Sequence, residues 1–208
     1  QPLLVVAGPG SGKTYGMVSE IAKAIRLLDP SRVLAAITYT NASAESIRKQ
    51  LVQVSALAPN VFIGTNHSFL IRFILRPFGS LFDQTPSDCL FMDFDLEALV
   101  KRRIGKSKKV TRQEEIQIRR HIEANLVKTG RVPFDQVAVV SAKLVQNKRV
   151  RSAVANRLQY LFVDEFQDVD TAQLTIIDEI RKAGKTSIYV VGDPEQYISG
   201  YTYKLRAI

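Results

Sequence analysis

A single cysteine, Cys89, in a chain of 208 residues rules out an internal disulfide and the Cys-x-x-Cys spacings of small metal sites. No apolar run approaches the ~18 residues that crossing a bilayer requires, which argues against a membrane role. Internal repeats and low-complexity tracts are missing as well. The composition, 46% hydrophobic, is that of a globular protein. Its length suffices for one large or two small domains with a sizeable core. The cysteine usage fits a reducing compartment, and a cytoplasmic protein is the expectation. Gln1 opens the chain with neither an initiator methionine nor a signal-like segment, and a strand pattern starts almost at once. A piece of a longer polypeptide is therefore expected.

Acidic residues are scarce in one region only. Between Lys101 and Arg157 there are 16 lysines and arginines against 4 acids, whereas the remainder holds 13 against 16. The whole net charge of +9 thus comes from one stretch. This pattern suggests a subdomain facing a polyanion, set into a near-neutral remainder. A solvated helical face is the alternative.

Most of the chain is organised around Ala7, Gly8, Pro9, Gly10, Ser11, Gly12, Lys13 and Thr14. The apolar stretch Leu3 to Ala7 enters this turn, and Met17, Ile21, Ile25 and Leu28 follow at helical spacing. A buried strand that hands over to a helix through a glycine-rich turn makes a phosphate cradle. Gly10 and Gly12 let successive backbone N–H groups point at one oxyanion, and Lys13 adds a point charge for the outer phosphates. Thr14 supplies a hydroxyl for Mg2+. The first position of the general pattern is Ala7 where glycine is usual. For the short spelling alone a surface turn is the competing explanation, but the flanking strand and helix favour the phosphate loop.

Farther along, Asp29 and Pro30 close the first helix and Val33 to Ile37 read as a buried strand. Thr38, Tyr39, Thr40 and Asn41 stand at its carboxyl end, before a helix with Ile47, Leu51 and Val54 at i, i+4, i+7. Val61 to Gly64 form a third strand, leading through Thr65, Asn66, His67, Ser68 and Phe69 into a helix ending near Leu75. Alternating strands and helices predict an α/β fold with mainly parallel pairing, with ligand contacts just past the strand ends. From about Arg76 to Asn156 strand signals thin out and helical spacings take over. Thr111 and Glu114 form a capping-box signature, and Glu115 and Arg119 are spaced for an i, i+4 ion pair. This region reads as a helical insertion between two strands of one sheet, with loops at Gly79 to Asp88 and Gly105 to Lys109.

The sheet resumes at Tyr160 to Val163 and delivers Asp164 and Glu165 at its carboxyl end. In a phosphate-binding fold the first carboxylate can hold the magnesium shell and the second can orient and deprotonate a water. Without the upstream loop the same pair would be a solvated turn. Asp170 or Thr171 then caps a helix carrying Leu174, Ile177 and Ile180. A last strand, Ser187 to Val191, ends in Gly192, Asp193, Pro194, Glu195 and Gln196, and the Gln196 amide can report on a terminal phosphate.

Taken together, AGPGSGKT, TYTNASA, GTNHSF, FVDEFQD and VVGDPEQ, in that order, resemble the amino-terminal ATPase half of the UvrD/Rep/PcrA-like superfamily I DNA helicases. The likeness covers roughly the first 75 and last 50 residues, and the basic insertion matches in position and character only. The resemblance implies a RecA-like P-loop ATPase domain, 1A, from residues 1–75 and 157–208, and a helical insertion, 1B, at 76–156. It implies ATP and Mg2+ as cofactors, with Glu165, Lys13 and Gln196 in catalysis and Thr14 and Asp164 on the metal. Gly10, Ser11, Gly12, Lys13, Thr14, Tyr15 and Gln167 would bind the nucleotide, although many relatives carry arginine at the Tyr15 position. Gln167 and Gln196 would couple nucleotide to DNA. Tyr39, Asn41, Thr65, His67 and Tyr201 would contact single-stranded DNA or a junction of single- and double-stranded DNA. Thr202 stands where the family has arginine. The same resemblance implies a second RecA-like domain as partner, without which this chain would bind nucleotide weakly and hydrolyse it poorly. Two alternatives stay open, the motor of a helicase-nuclease and an ATP-gated nucleic-acid-binding module that does not unwind.

Overall fold

The computed structural model describes residues 3–6, 13–54, 58–81, 90–92, 96–105, 110–129 and 131–192. Its amino-terminal part alternates β1 (Leu3–Val6), α1 (Lys13–Arg26), β2 (Val33–Thr38), α2 (Asn41–Val54) and β3 (Val61–Thr65). Then come α3 (Asn66–Leu70), a π-helical turn (Ile71–Leu75), α4 (Arg76–Phe78) and a 3-10 turn (Gly79–Leu81). The middle region holds β4 (Leu90–Met92), α5 (Leu96–Ile104), α6 (Arg112–Lys128), β5 (Arg131–Pro133) and a 3-10 turn (Phe134–Gln136). It continues through α7 (Val137–Gln146) and α8 (Lys148–Arg157) to β6 (Leu158–Val163), a 3-10 turn (Phe166–Asp168), α9 (Thr171–Lys182) and β7 (Ser187–Gly192).

Five strands form one sheet in the order β1-β7-β6-β2-β3, every pairing parallel. Parallel neighbours need crossover connections, and helices supply them. Strand alternation divides the core into two layers. Leu34 and Ala36 of β2, Phe162 of β6 and Val191 of β7 meet Met17, Ile21, Ile47 and Leu51 of α1 and α2. Ala35, Ile37, Leu161, Val163, Ile188 and Val190 face the other way, onto Phe69, Phe73, Val140, Leu144, Val154, Ile177 and Ile180. Each valine, leucine, isoleucine, methionine or phenylalanine among them, fully buried, contributes about 1.5–3 kcal/mol of hydrophobic stabilisation. The α/β class and the parallel sheet agree with the sequence-based expectation.

Three local features differ from it. The insertion contains a two-stranded parallel ladder that joins β4 to β5 with Leu90 opposite Arg131 and Met92 opposite Pro133. Three-residue strands are too short to display a period of two. Arg119 pairs with Glu123 at 3.1 Å and lies 3.7 Å from Asp135; the expected partner was Glu115. The 3-10 turn after β5 brings Asp135 to the same guanidinium, so the two acids lie together on that side. Finally α7 and α8 are helical as expected, but Val137, Val140, Leu144, Val150 and Val154 belong to the same core as the sheet and α9.

Arg32, just before β2, ties several chain segments together. Its guanidinium donates to the backbone carbonyls of Ala155, Asn156, Leu158 and Lys185. The last carbonyls of α8 have no intrahelical partner, and this cation satisfies two of them while holding β6 and β7 at their amino ends. Asp170 caps α9 in a capping box with Gln173, which decides between the two candidate caps. The Thr111 and Glu114 capping pair at the start of α6 is formed.

Candidate nucleotide site at the carboxyl edge of the sheet

Because all five strands run the same way, β1, β6, β7, β2 and β3 end on one edge. Val6 is level with Gly192, and Val163 with Val190. With neighbouring strands ~4.8 Å apart, the ends of β1 and β6 are separated by about 10 Å. Lys13 and Thr14 open α1 beyond β1, and Asp164 and Glu165 follow β6. The chain order that separates them by some 150 residues is thus folded into one rim. Gly10, Ser11, Gly12, Gln196 and Tyr201 lie outside the described residues, as does Thr202.

Asp164 is buried, 8% exposed, and its backbone N–H donates to Ile37 O at 2.9 Å, extending the β6–β2 ladder past Val163. Glu165 then departs from the strand. Its φ of 50° and ψ of 49° are left-handed, a conformation no other non-glycine residue adopts among those described. Such backbone costs about 1–3 kcal/mol for a residue with a Cβ and persists where its surroundings impose it. Here the imposition comes from the 3-10 turn, in which Asp168 N–H donates to Glu165 O at 2.9 Å and Val169 N–H to Phe166 O at 3.2 Å. Phe166, fully buried, anchors the turn in the core. The Gln167 side-chain amide donates to Glu165 Oε2. Partial withdrawal from water, and then the negative charge of Glu165, raise the Asp168 carboxyl above its ordinary value.

On the β2 side a small cleft is bounded by Thr38, Tyr39, Asn66, Asp164, Glu165 and Asp168. Thr38 is 2% exposed. Its Oγ1 and Ser141 Oγ are the buried side-chain polar atoms without a hydrogen-bond partner among the described residues. Tyr39 is 64% exposed, and Asn41 opens α2 on the surface. Thr65 is the cap of α3, where its hydroxyl accepts from Ser68 N–H at 3.3 Å and donates to Ser68 Oγ at 3.1 Å. The His67 ring lies flat on Phe134, centroids 4.5 Å apart, with Nε2 3.2 Å from Phe134 O. Tyr15, on the first turn of α1, is 70% exposed.

Strand order sets the described ones among the expected residues along one rim. Thr14, Asp164, Glu165 and Gln167 share the β1–β6 part of the rim, and Tyr39, Asn41, Thr65 and His67 follow β2 and β3. Sequence reasoning placed Thr38 and Gly192 at strand ends without giving either a role, and it missed Phe134. The signal for Gly192 was present, a glycine closing a strand. Nothing in the spacing of residue types brings Phe134 to His67. Among the described residues no three of His, Cys, Asp and Glu converge as a metal cage. One carboxylate and one hydroxyl are a donor set that suits Mg2+, which takes few protein oxygens and completes its shell with phosphates and water.

Residues 1–202 match a family model described as an AAA domain. The chain is 28% identical to the ATP-dependent DNA helicase PcrA of Leuconostoc citreum, over 96% of this chain and 31% of that protein. It is 28% identical to the ATP-dependent DNA helicase Rep of Escherichia coli (strain K12), over 95% of this chain and 34% of the relative. A PcrA of Staphylococcus aureus (strain Mu50 / ATCC 700699) is 26% identical over 96% of this chain and 32% of its own length. The chain thus spans about a third of the length of these curated relatives.

Proposed function

This chain belongs to the AAA domain family; from that premise we propose that it is the amino-terminal, first motor domain of a UvrD/Rep/PcrA-like ATP-dependent DNA translocase, binding Mg-ATP and single-stranded DNA. The observation that carries the proposal is the β6 terminus, where a buried Asp164 precedes a Glu165 held in left-handed backbone on the rim from which α1 starts. Burial holds Asp164 in place, as a metal ligand requires, and the left-handed turn at Glu165 bends the chain away from the strand direction. In this reading Lys13 neutralises outer phosphates, Thr14 and Asp164 hold Mg2+, and Glu165 takes the proton of the attacking water. Mg2+, when bound, offsets phosphate charge. Gln196 is assigned to the terminal phosphate and Tyr15 to the nucleotide.

The DNA side of the proposal rests on exposed rings. Tyr39 past β2, and Phe134 stacked on the half-buried His67 past β3, offer exposed flat faces, and stacking a base on such a ring is worth about 1–3 kcal/mol irrespective of sequence. The basic region 101–157 would hold the phosphates. Division into a 1A unit, 1–75 and 157–208, and a 1B-like insertion, 76–156, is part of the same proposal, with α7 and α8 of the insertion packed into the core of the 1A unit, as is a second RecA-like domain that completes the γ-phosphate site. An arginine supplied across such a cleft is worth about 10³–10⁵ in rate.

The test uses the full-length parent protein. Glu165→Gln is expected to keep ATP binding and lose DNA-stimulated hydrolysis, whereas Lys13→Ala weakens binding itself. Hydrolysis undiminished in Glu165→Gln overturns the assignment of the base. The 208-residue chain alone is expected to turn over ATP poorly and to gain rate when the remainder is added. A rate indifferent to that addition overturns the two-domain reading.

A further inference from the structure

We infer that Gly192 is a positioning residue for Glu165, and that the missing side chain at the end of β7 is what lets Gln167 reach the proposed catalytic carboxylate. The inference rests on the reading of Glu165 as the base. Built in ideal geometry, a Cβ on Gly192 would lie 3.2 Å from Phe166 Cβ, 3.3 Å from Gln167 Oε1 and 3.6 Å from Gln167 N. The first two contacts are tighter than van der Waals packing allows without movement. Each asks for a shift of a few tenths of an ångström. Phe166 is packed in the core, so its contact is relieved by a small movement of the β7 end, while the larger displacement falls on the flexible far end of Gln167. What yields is the Gln167 carboxamide.

That carboxamide has one end on the proposed catalytic residue and the other beside the β7 end. Its oxygen lies over Gly192, and its nitrogen donates to Glu165 Oε2. Pushing the oxygen away swings the nitrogen off the carboxylate. Gln167 therefore bridges two neighbouring strand ends, since β6 and β7 are adjacent in the sheet. Movement at the end of β7 reaches the general base through one side chain. The backbone of Glu165 is already in a sparsely populated conformation, so a lost side-chain tether leaves its carboxylate free to reorient.

The experiment is a double-mutant cycle in the full-length protein, reading kcat and KM for ATP at saturating single-stranded DNA. Gly192→Ala and Gln167→Ala are each expected to lower kcat about tenfold, the order of one hydrogen bond to a charged group. KM for ATP changes alike in the two single variants, because both take the same Gln167 carboxamide out of place. Gly192→Ala added to Gln167→Ala causes no further loss, since the side chain it displaces has gone. Losses that multiply, or a Gly192→Ala enzyme with wild-type kcat, overturn the inference. Should Gly192→Ala fail to fold, folding regained in the double variant upholds it, and misfolding of both assigns the clash to Phe166 and overturns it. Glu165→Gln in parallel separates the two levels: continued hydrolysis there removes the base reading, whereas multiplicative losses beside an inactive Glu165→Gln remove only the positioning role.

Discussion

At the scale of single residues, Thr38 is the least satisfied group on the rim. It is 2% exposed, it pairs in register with Thr65, and its hydroxyl finds no partner among the described residues. A buried hydroxyl without a hydrogen bond carries a desolvation cost of about 1–3 kcal/mol. Valine has the same shape and no such group. Thr38→Val is therefore expected to stabilise the chain by about 1 kcal/mol, raising its melting temperature by roughly 2–4 °C. A melting temperature that stays level or falls would mean that the hydroxyl is partnered in solution. Glu165 breaks a local rule in the same place, with backbone that favours glycine. Two such departures side by side, on the edge where the phosphate chemistry is proposed, are the pattern of a site in which function has overridden local preference.

At the scale of elements, what could be read from the sequence depended on length and on periodicity. The five strands of the main sheet and the helices α1, α2 and α9 carried apolar residues at the spacing that burial later used, and Ile47, Leu51, Ile177 and Ile180 are all core, whereas Val54, the last position of the α2 spacing, is exposed. The Asp164–Glu165 pair was legible because a strand preceded it. The π-helical turn at Ile71–Leu75 was not, since one turn of altered pitch leaves no mark on residue type. Nor could spacing alone tell that α7 and α8 press on α9 and the sheet, because an apolar helical face does not name its partner. The contact between α8 and α9 also has a polar border. The Arg151 guanidinium pairs with Glu179, and Lys182 Nζ stands 2.9 Å from Glu179 and 2.8 Å from Asp178. The hydrogen bond from Lys182, followed by that from Arg151, holds the Glu179 carboxyl below its ordinary value of 4.5. A carboxylate depressed in the folded state contributes stability that is complete above the unfolded value and is lost as pH falls through the folded one. Unfolding free energy should therefore hold steady down to about pH 4.5 and decline below it. Glu179→Gln should melt lower at neutral pH with a flatter acid limb, and denaturant titrations across that range check both. An acid limb unchanged in the variant would assign the decline to other carboxylates.

At the scale of the whole molecule, charge and fold divide the chain differently. The basic excess runs from Lys101 to Arg157, but its carboxyl-terminal helices share a core with the sheet, while α5 and α6 carry exposed cations outside it. Lys101 and Arg119 have acidic neighbours at ion-pair distance, which lowers what they can offer a phosphate. Arg102, Arg103 and Arg120, exposed on α5 and α6, lie among no comparable acids in sequence except Glu123. Lys106, Lys108 and Lys109 lie outside the described residues and belong to the same basic stretch. Each phosphate contact on single-stranded nucleic acid contributes about 0.7 to the slope of log affinity against log salt, through released counterions. If this surface grips the backbone, replacing Arg102, Arg103 and Arg120 with glutamine lowers that slope by up to about 2, with the largest loss of affinity at low salt. Lys49→Gln, an exposed cation on α2 within the near-neutral remainder, is the comparison and leaves the slope near its wild-type value. Fluorescence anisotropy of a labelled oligonucleotide over a salt series measures both, in the parent protein. Equal slopes for the triple variant and the wild type would return the basic region to a solvated surface, and the grip on DNA would then fall to the strand-end residues alone.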